Sequence, residues 1–147
     1  FDDDGRIMIS GPTVAVCYQD HAPDLSNRRW ISNDIGRWED GRLVLIGRMD
    51  DVVKVGGRAI ALPAITDALR NAFRIHDVAV LSRSDGEWGS VPVVFLTDHA
   101  LPDVELRQTA AAAVGRSSLP MDIVRLDVMP LLSNGKPDRQ TLQAMVQ

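Results

Sequence analysis

The 147-residue chain has one cysteine, no long apolar run and no excess of positive charge. A lone Cys17 cannot form an intrachain disulfide, which excludes a stapled secreted scaffold and fits a reducing, cytoplasmic compartment. The apolar runs fall far short of the roughly 20 residues that a helical membrane span requires. Lys and Arg number 16 against 20 Asp and Glu, so no basic face and no nucleic-acid partner are expected. His21, His76 and His99 lack metal-ligand spacing and stand apart from Cys17, so no metal site is expected. An initiator Met is also missing: the chain opens Phe-Asp-Asp-Asp-Gly and runs directly into a strand-like segment, with no signal-peptide pattern. The expectation is a stretch from within a longer polypeptide, cut or processed.

What is present is an ordinary globular composition, 45% hydrophobic and 24% charged, long enough for one domain or one and a fraction. The first third is dense in turn signals. Arg6-Ile7-Met8-Ile9-Ser10 reads as a strand closed by Gly11-Pro12. Residues 13–18 are apolar without a deciding period, and 19–29 read as a polar surface loop. Strands follow around Trp30-Ile31-Ser32 and Arg42-Leu43-Val44-Leu45-Ile46, joined through Asp40-Gly41, a hairpin signal.

Val52-Val53-Lys54-Val55 reads as a strand ending at Gly56-Gly57. A helix is then expected from Pro63 to about Arg74, with Leu62, Ile65, Leu69 and Phe73 at helical spacing. Val78-Ala79-Val80-Leu81 and the run 91–96 read as buried strands about Ser84-Asp85-Gly86. Residues 104–114 are helix-prone with Gly115 as C-cap, 123–126 form a further strand, and 138–146 a terminal helix. From Val52 the expected order is βαββαβα, an α+β layout with about three helices on a small sheet, preceded by a β-rich segment.

Three stretches carry chemically loaded residues poorly suited to a core. They are Trp30-Ile31-Ser32-Asn33-Asp34, with Asp34 at a strand end, then Gly47-Arg48-Met49-Asp50-Asp51 continuing to Lys54 and Gly56-Gly57-Arg58, and Leu132-Ser133-Asn134-Gly135-Lys136-Pro137-Asp138-Arg139. Singly, each has a plain alternative. Asp34 would serve equally as a turn cap, Lys54 and Arg58 as solvated cations, and Lys136 as an exposed residue beside a tight turn.

Together, in this order and spacing, the three stretches resemble the C-terminal portion of the acyl-adenylate-forming enzymes, which include acyl-CoA synthetases and peptide-synthetase adenylation domains. Trp30 to Asp34 is similar to the family's ribose-binding motif, Gly47 to Gly57 to its hinge motif, and Pro130 to Arg139 to the motif of the catalytic lysine. The resemblance implies residues 1–48 as the tail of a large ATP-binding domain and 49–147 as a C-terminal lid. It implies Lys136 as the catalytic residue, Asp34 and Arg48 at the nucleotide, Asp50 as the hinge, and Lys54, Gly56, Gly57 and Arg58 on the CoA and pantetheine side.

It further implies ATP with Mg²⁺, held mainly by an upstream domain, and CoA and a small-molecule carboxylate as co-substrates. The family's phosphate loop and its aromatic-Gly-x-Thr-Glu segment are not in this sequence, so the chain alone is expected to be inactive. Two departures stand out: Asn33 where the family usually has Gly, and Ala61-Leu62-Pro63-Ala64-Ile65 where it often has Glu. Both look most like the o-succinylbenzoate–CoA ligases of menaquinone synthesis. An adenylation domain loading a carrier-protein arm, and a non-catalytic carrier-binding module with the lid fold, are the alternatives.

Overall fold

The computed structural model describes residues 1–3, 5–15 and 28–146. Most of the predicted loop 19–29, the end of the apolar stretch 13–18, and Cys17 and His21 lie outside them. The chain forms two compact units, Phe1–Asp50 and Asp51–Gln147.

Among its described residues the first unit forms a three-stranded antiparallel sheet of β1 (Arg6–Ser10), β2 (Arg29–Glu39) and β3 (Arg42–Arg48), in that order. Asp40 and Gly41, both at positive φ, make the two-residue turn between β2 and β3, as the Asp-Gly signal predicts. One expectation is corrected here. Asp34 is not at a strand end, because β2 continues through it to Glu39. The register shifts between Ile35 and Gly36, and that bulge lets the polar Ser-Asn-Asp run stay within the strand. A side chain at Gly36 would meet the Val44 carbonyl at 3.0 Å.

The second unit contains β4 (Val52–Val55), β5 (Arg58–Ala61), α1 (Leu62–Phe73), β6 (Val78–Asp85), β7 (Gly89–Leu96), α2 (Asp103–Ala113), β8 (Asp122–Arg125) and α3 (Arg139–Ala144). Its sheet runs β5-β4-β7-β6, with β8 parallel to β7. Among the described residues the fold is α+β with three α-helices, as expected, and β5 is an addition. Arg58-Ala59-Ile60-Ala61 has weak strand character alone and is held by its full pairing to β4.

Alternation along β6 and β7 builds two cores, one on each sheet face. Val78, Val80, Val94 and Leu96 join Ile65, Leu69 and Leu106 on one face. Ala79, Leu81, Val93 and Phe95 meet Met129 and Leu142 on the other. A sheet covered on both faces explains why these strands read as unbroken apolar runs. Helix ends follow the sequence signals: Arg74 caps α1 in the left-handed region, and Gly115 and Arg116 donate to Ala112 and Ala111 carbonyls in a Schellman pattern after α2. Among the described residues no helix is long and apolar enough to cross a membrane.

Candidate functional site

In the first unit, Asp34 on β2 lies directly opposite Arg48 at the end of β3. The Arg48 guanidinium donates through Nη1 to Asp34 Oδ1 at 3.4 Å and through Nη2 to Asp50 Oδ2 at 2.7 Å. Ser32, buried beneath, accepts the Asp34 backbone N–H at 3.0 Å and so fixes the strand where the carboxylate emerges. Asp34, Arg48 and Asp50 are thus gathered into one cluster, each side chain 39–51% exposed and open to a polar ligand. The Arg48 guanidinium, with a smaller part from the Asp50 backbone N–H, holds the Asp50 carboxyl below its ordinary value of 3.8.

In the second unit, Lys54, Gly56, Gly57 and Arg58 share the β4–β5 hairpin. Gly56 and Gly57 sit at φ +57° and +77° and form its turn. The Gly56 N–H donates to the Trp88 carbonyl at 2.9 Å, and a side chain at Gly56 would approach the Trp88 ring at 3.1 Å. Lys54 and Arg58 are exposed. The hairpin is therefore a firmly seated backbone turn with a cation on each side.

Lys136 lies in a separate, tightly closed turn. The Leu132 N–H donates to the Lys136 carbonyl at 2.8 Å, Gly135 N–H to the Leu132 carbonyl at 2.9 Å, and Lys136 N–H to Asn134 Oδ1 at 3.1 Å. A bridge between Leu131 and Pro137 closes its base. Asp138 then caps α3, its carboxylate accepting from Gln140 and Thr141 N–H and the Thr141 hydroxyl. An exposed ammonium is thereby presented on a backbone with little freedom. Lys136 borders a cavity of about 630 Å³ whose walls include Leu62, Pro63, Thr66, Arg70 and Leu132. Arg70 bonds the Val78 carbonyl at 3.2 Å while its Nε is buried without a hydrogen-bond partner.

One pair escaped the sequence reading. Asp51, nearly buried, accepts a 2.6 Å hydrogen bond from Arg139 Nη2 across 88 positions. Both residues stand inside the motifs already singled out, which was the available signal, yet nothing in either stretch names the other as partner.

No family model matches the chain. Tyrocidine synthase 3 of Brevibacillus parabrevis is 31% identical over 154 residues, covering 95% of this chain and 2% of that protein. The 2-succinylbenzoate–CoA ligase of Listeria monocytogenes (serotype 4b strain F2365) is 28% identical over 148 residues, covering 96% of this chain and 32% of the ligase. The chain therefore spans about a third or less of these curated relatives. Among solved structures, o-succinylbenzoate CoA synthetase from Bacillus subtilis, in complex with its acyl-adenylate intermediate, superposes with a TM-score of 0.74 at 23% identity, over 94% of this chain and 30% of that one. The relatives and structural neighbours of this chain are acyl-adenylate-forming enzymes, acyl-CoA synthetases and peptide synthetases among them, and its fold is that of their C-terminal portion.

Proposed function

We propose that the chain is a fragment of an ATP-dependent acid–thiol ligase. Residues 1–48 end its ATP-binding domain, 49–147 form its lid, and Asp50 is the hinge between them. The reaction has two steps. A carboxylate attacks the α-phosphate of ATP, giving acyl-AMP and pyrophosphate; a thiol then displaces AMP to give the thioester.

The observation that carries this reading is that one chain holds both an open Asp34–Arg48–Asp50 cluster, in its first unit, and a hydrogen-bonded turn presenting Lys136, in its second. Asp34 accepts hydrogen bonds from the ribose hydroxyls, and the Arg48 fork supplies donors to ribose and phosphate. Lys136 bridges the attacking carboxylate and the phosphate, offsetting the charge that builds as two anions meet. Rotation at Asp50 then exchanges Lys136 for the Lys54–Arg58 hairpin, whose glycine turn admits close approach of a pantetheine arm. Mg²⁺ would be held mainly by the upstream domain, and nothing in the steps above is assigned to it. The exposed Ile9, Ile31, Trp38, Leu43 and Leu45 of the first unit support its place as part of a larger domain that covers them.

The finer reading is an o-succinylbenzoate–CoA ligase. It is supported by the first turn of α1, which holds Pro63 and no acidic residue, and by the likeness to the Listeria ligase. The likeness to tyrocidine synthase 3 favours a second reading, an adenylation domain that loads a carrier-protein arm. A non-catalytic carrier-binding module has no use for Lys136, Asp34 and Arg48 together. The test is pyrophosphate release by the full-length polypeptide offered ATP with o-succinylbenzoate or with a panel of amino acids. Release with o-succinylbenzoate, followed by thioester on CoA addition, is expected. Release with an amino acid alone would move the assignment to the carrier-loading class, and release with neither would overturn both.

A further inference from the structure

We infer that Asp51 and Arg139 form a positioning pair that fixes the Lys136 turn to the start of the lid. The inference rests on the proposed role of Lys136 in adenylation and goes beyond it, to how that lysine is held.

Asp51 follows the proposed hinge residue directly, and its side chain is only 13% exposed. A carboxylate withdrawn from water to that degree requires a charged or hydrogen-bonding partner. Arg139 supplies it at 2.6 Å and is itself half exposed, so the contact is held from the Arg139 side without burying a second charge. On the Lys136 side the connection is short. Arg139 is the first residue of α3, fixed by the Asp138 cap; the Asp138 N–H donates to the Pro130 carbonyl at 2.8 Å; and the Leu131–Pro137 bridge closes the turn carrying Lys136.

A continuous set of contacts therefore runs from the residue after Asp50 to the backbone of Lys136, wholly within the second unit. Hydrogen bonds inside the turn set its shape. The Asp51–Arg139 pair sets where that shape stands relative to Asp51. An ammonium that must bridge two anions tolerates little displacement, since misplacements of about 1 Å cost on the order of a hundredfold in rate.

The test uses Asp51→Asn, Arg139→Gln and Arg139→Lys. Asp51→Asn keeps the shape of the side chain and removes the charge; Arg139→Lys keeps a cation. In the 147-residue chain, amide exchange is followed at Leu132, Gly135 and Asp138, with Val94 in the core as reference. Arg139→Gln should raise exchange at the three turn amides by about tenfold while Val94 is unchanged, and Arg139→Lys should restore part of the protection.

In the full-length polypeptide, Asp51→Asn and Arg139→Gln should slow acyl-AMP formation by about ten- to a hundredfold and leave thioester formation from supplied acyl-AMP within about twofold. Turn amides that exchange as in the unaltered chain would overturn the pair's role, as would equal loss at Val94. Equal loss of both half-reactions would overturn its specific link to Lys136. If Lys136→Ala leaves adenylation intact, the proposed function fails, while the exchange result still decides whether the pair holds the turn.

Discussion

Arg48 stands between two carboxylates, and its stronger bond is to Asp50. That bond is the first cause of the lowered Asp50 pKa, so removing the guanidinium has a defined consequence. Arg48→Gln should bring the Asp50 carboxyl back up toward 3.8, measurable as a shifted side-chain titration by NMR. An unchanged titration would assign the depression to Asn33 or the backbone instead. Stability should move by less than about 1 kcal/mol, because exposed ion pairs contribute little. The cluster is thus better placed to bind and orient than to hold the fold.

At the level of elements, the turns do more work than the helices in placing the candidate site. Gly56→Ala would put a side chain at positive φ against the Trp88 ring, and should destabilise by about 1–2 kcal/mol in urea unfolding. No loss would mean that the hairpin can shift away from Trp88. Asp138 tests the α3 cap through pH. The Thr141 hydroxyl and N–H hold its carboxyl below 3.8, so its contribution is present above that value and is lost as pH falls through the lower, folded-state pKa. Asp138→Ala should lower the urea midpoint at pH 6 and reduce the drop on acidification; an unaltered pH profile would contradict the cap. Most elements were legible because their signals are local: the Asp40-Gly41 turn, Pro63 early in α1, the Schellman end of α2. β5 was not, since pairing makes it a strand, and Asp34 was misplaced because a bulge absorbs the polar run. The Asp51–Arg139 pair was illegible for the same kind of reason, its partners being 88 residues apart.

Among the described residues of the whole molecule, both hydrophobic clusters lie within the second unit, while the first unit shows a small sheet with several exposed apolar side chains. Residues 51–147 alone should therefore unfold cooperatively near the urea midpoint of the full chain; a non-cooperative or strongly lowered transition would show that the core of the second unit depends on residues 1–50. The central claim is that this chain supplies the adenylation lysine to a two-step ligase, and it is tested most directly by Lys136→Ala in the full-length polypeptide, with the two half-reactions measured separately. Acyl-AMP formation should fall by about 10²–10³-fold while thioester formation from supplied acyl-AMP stays near the unaltered rate. Undiminished adenylation, or an equal loss of both steps, would contradict it.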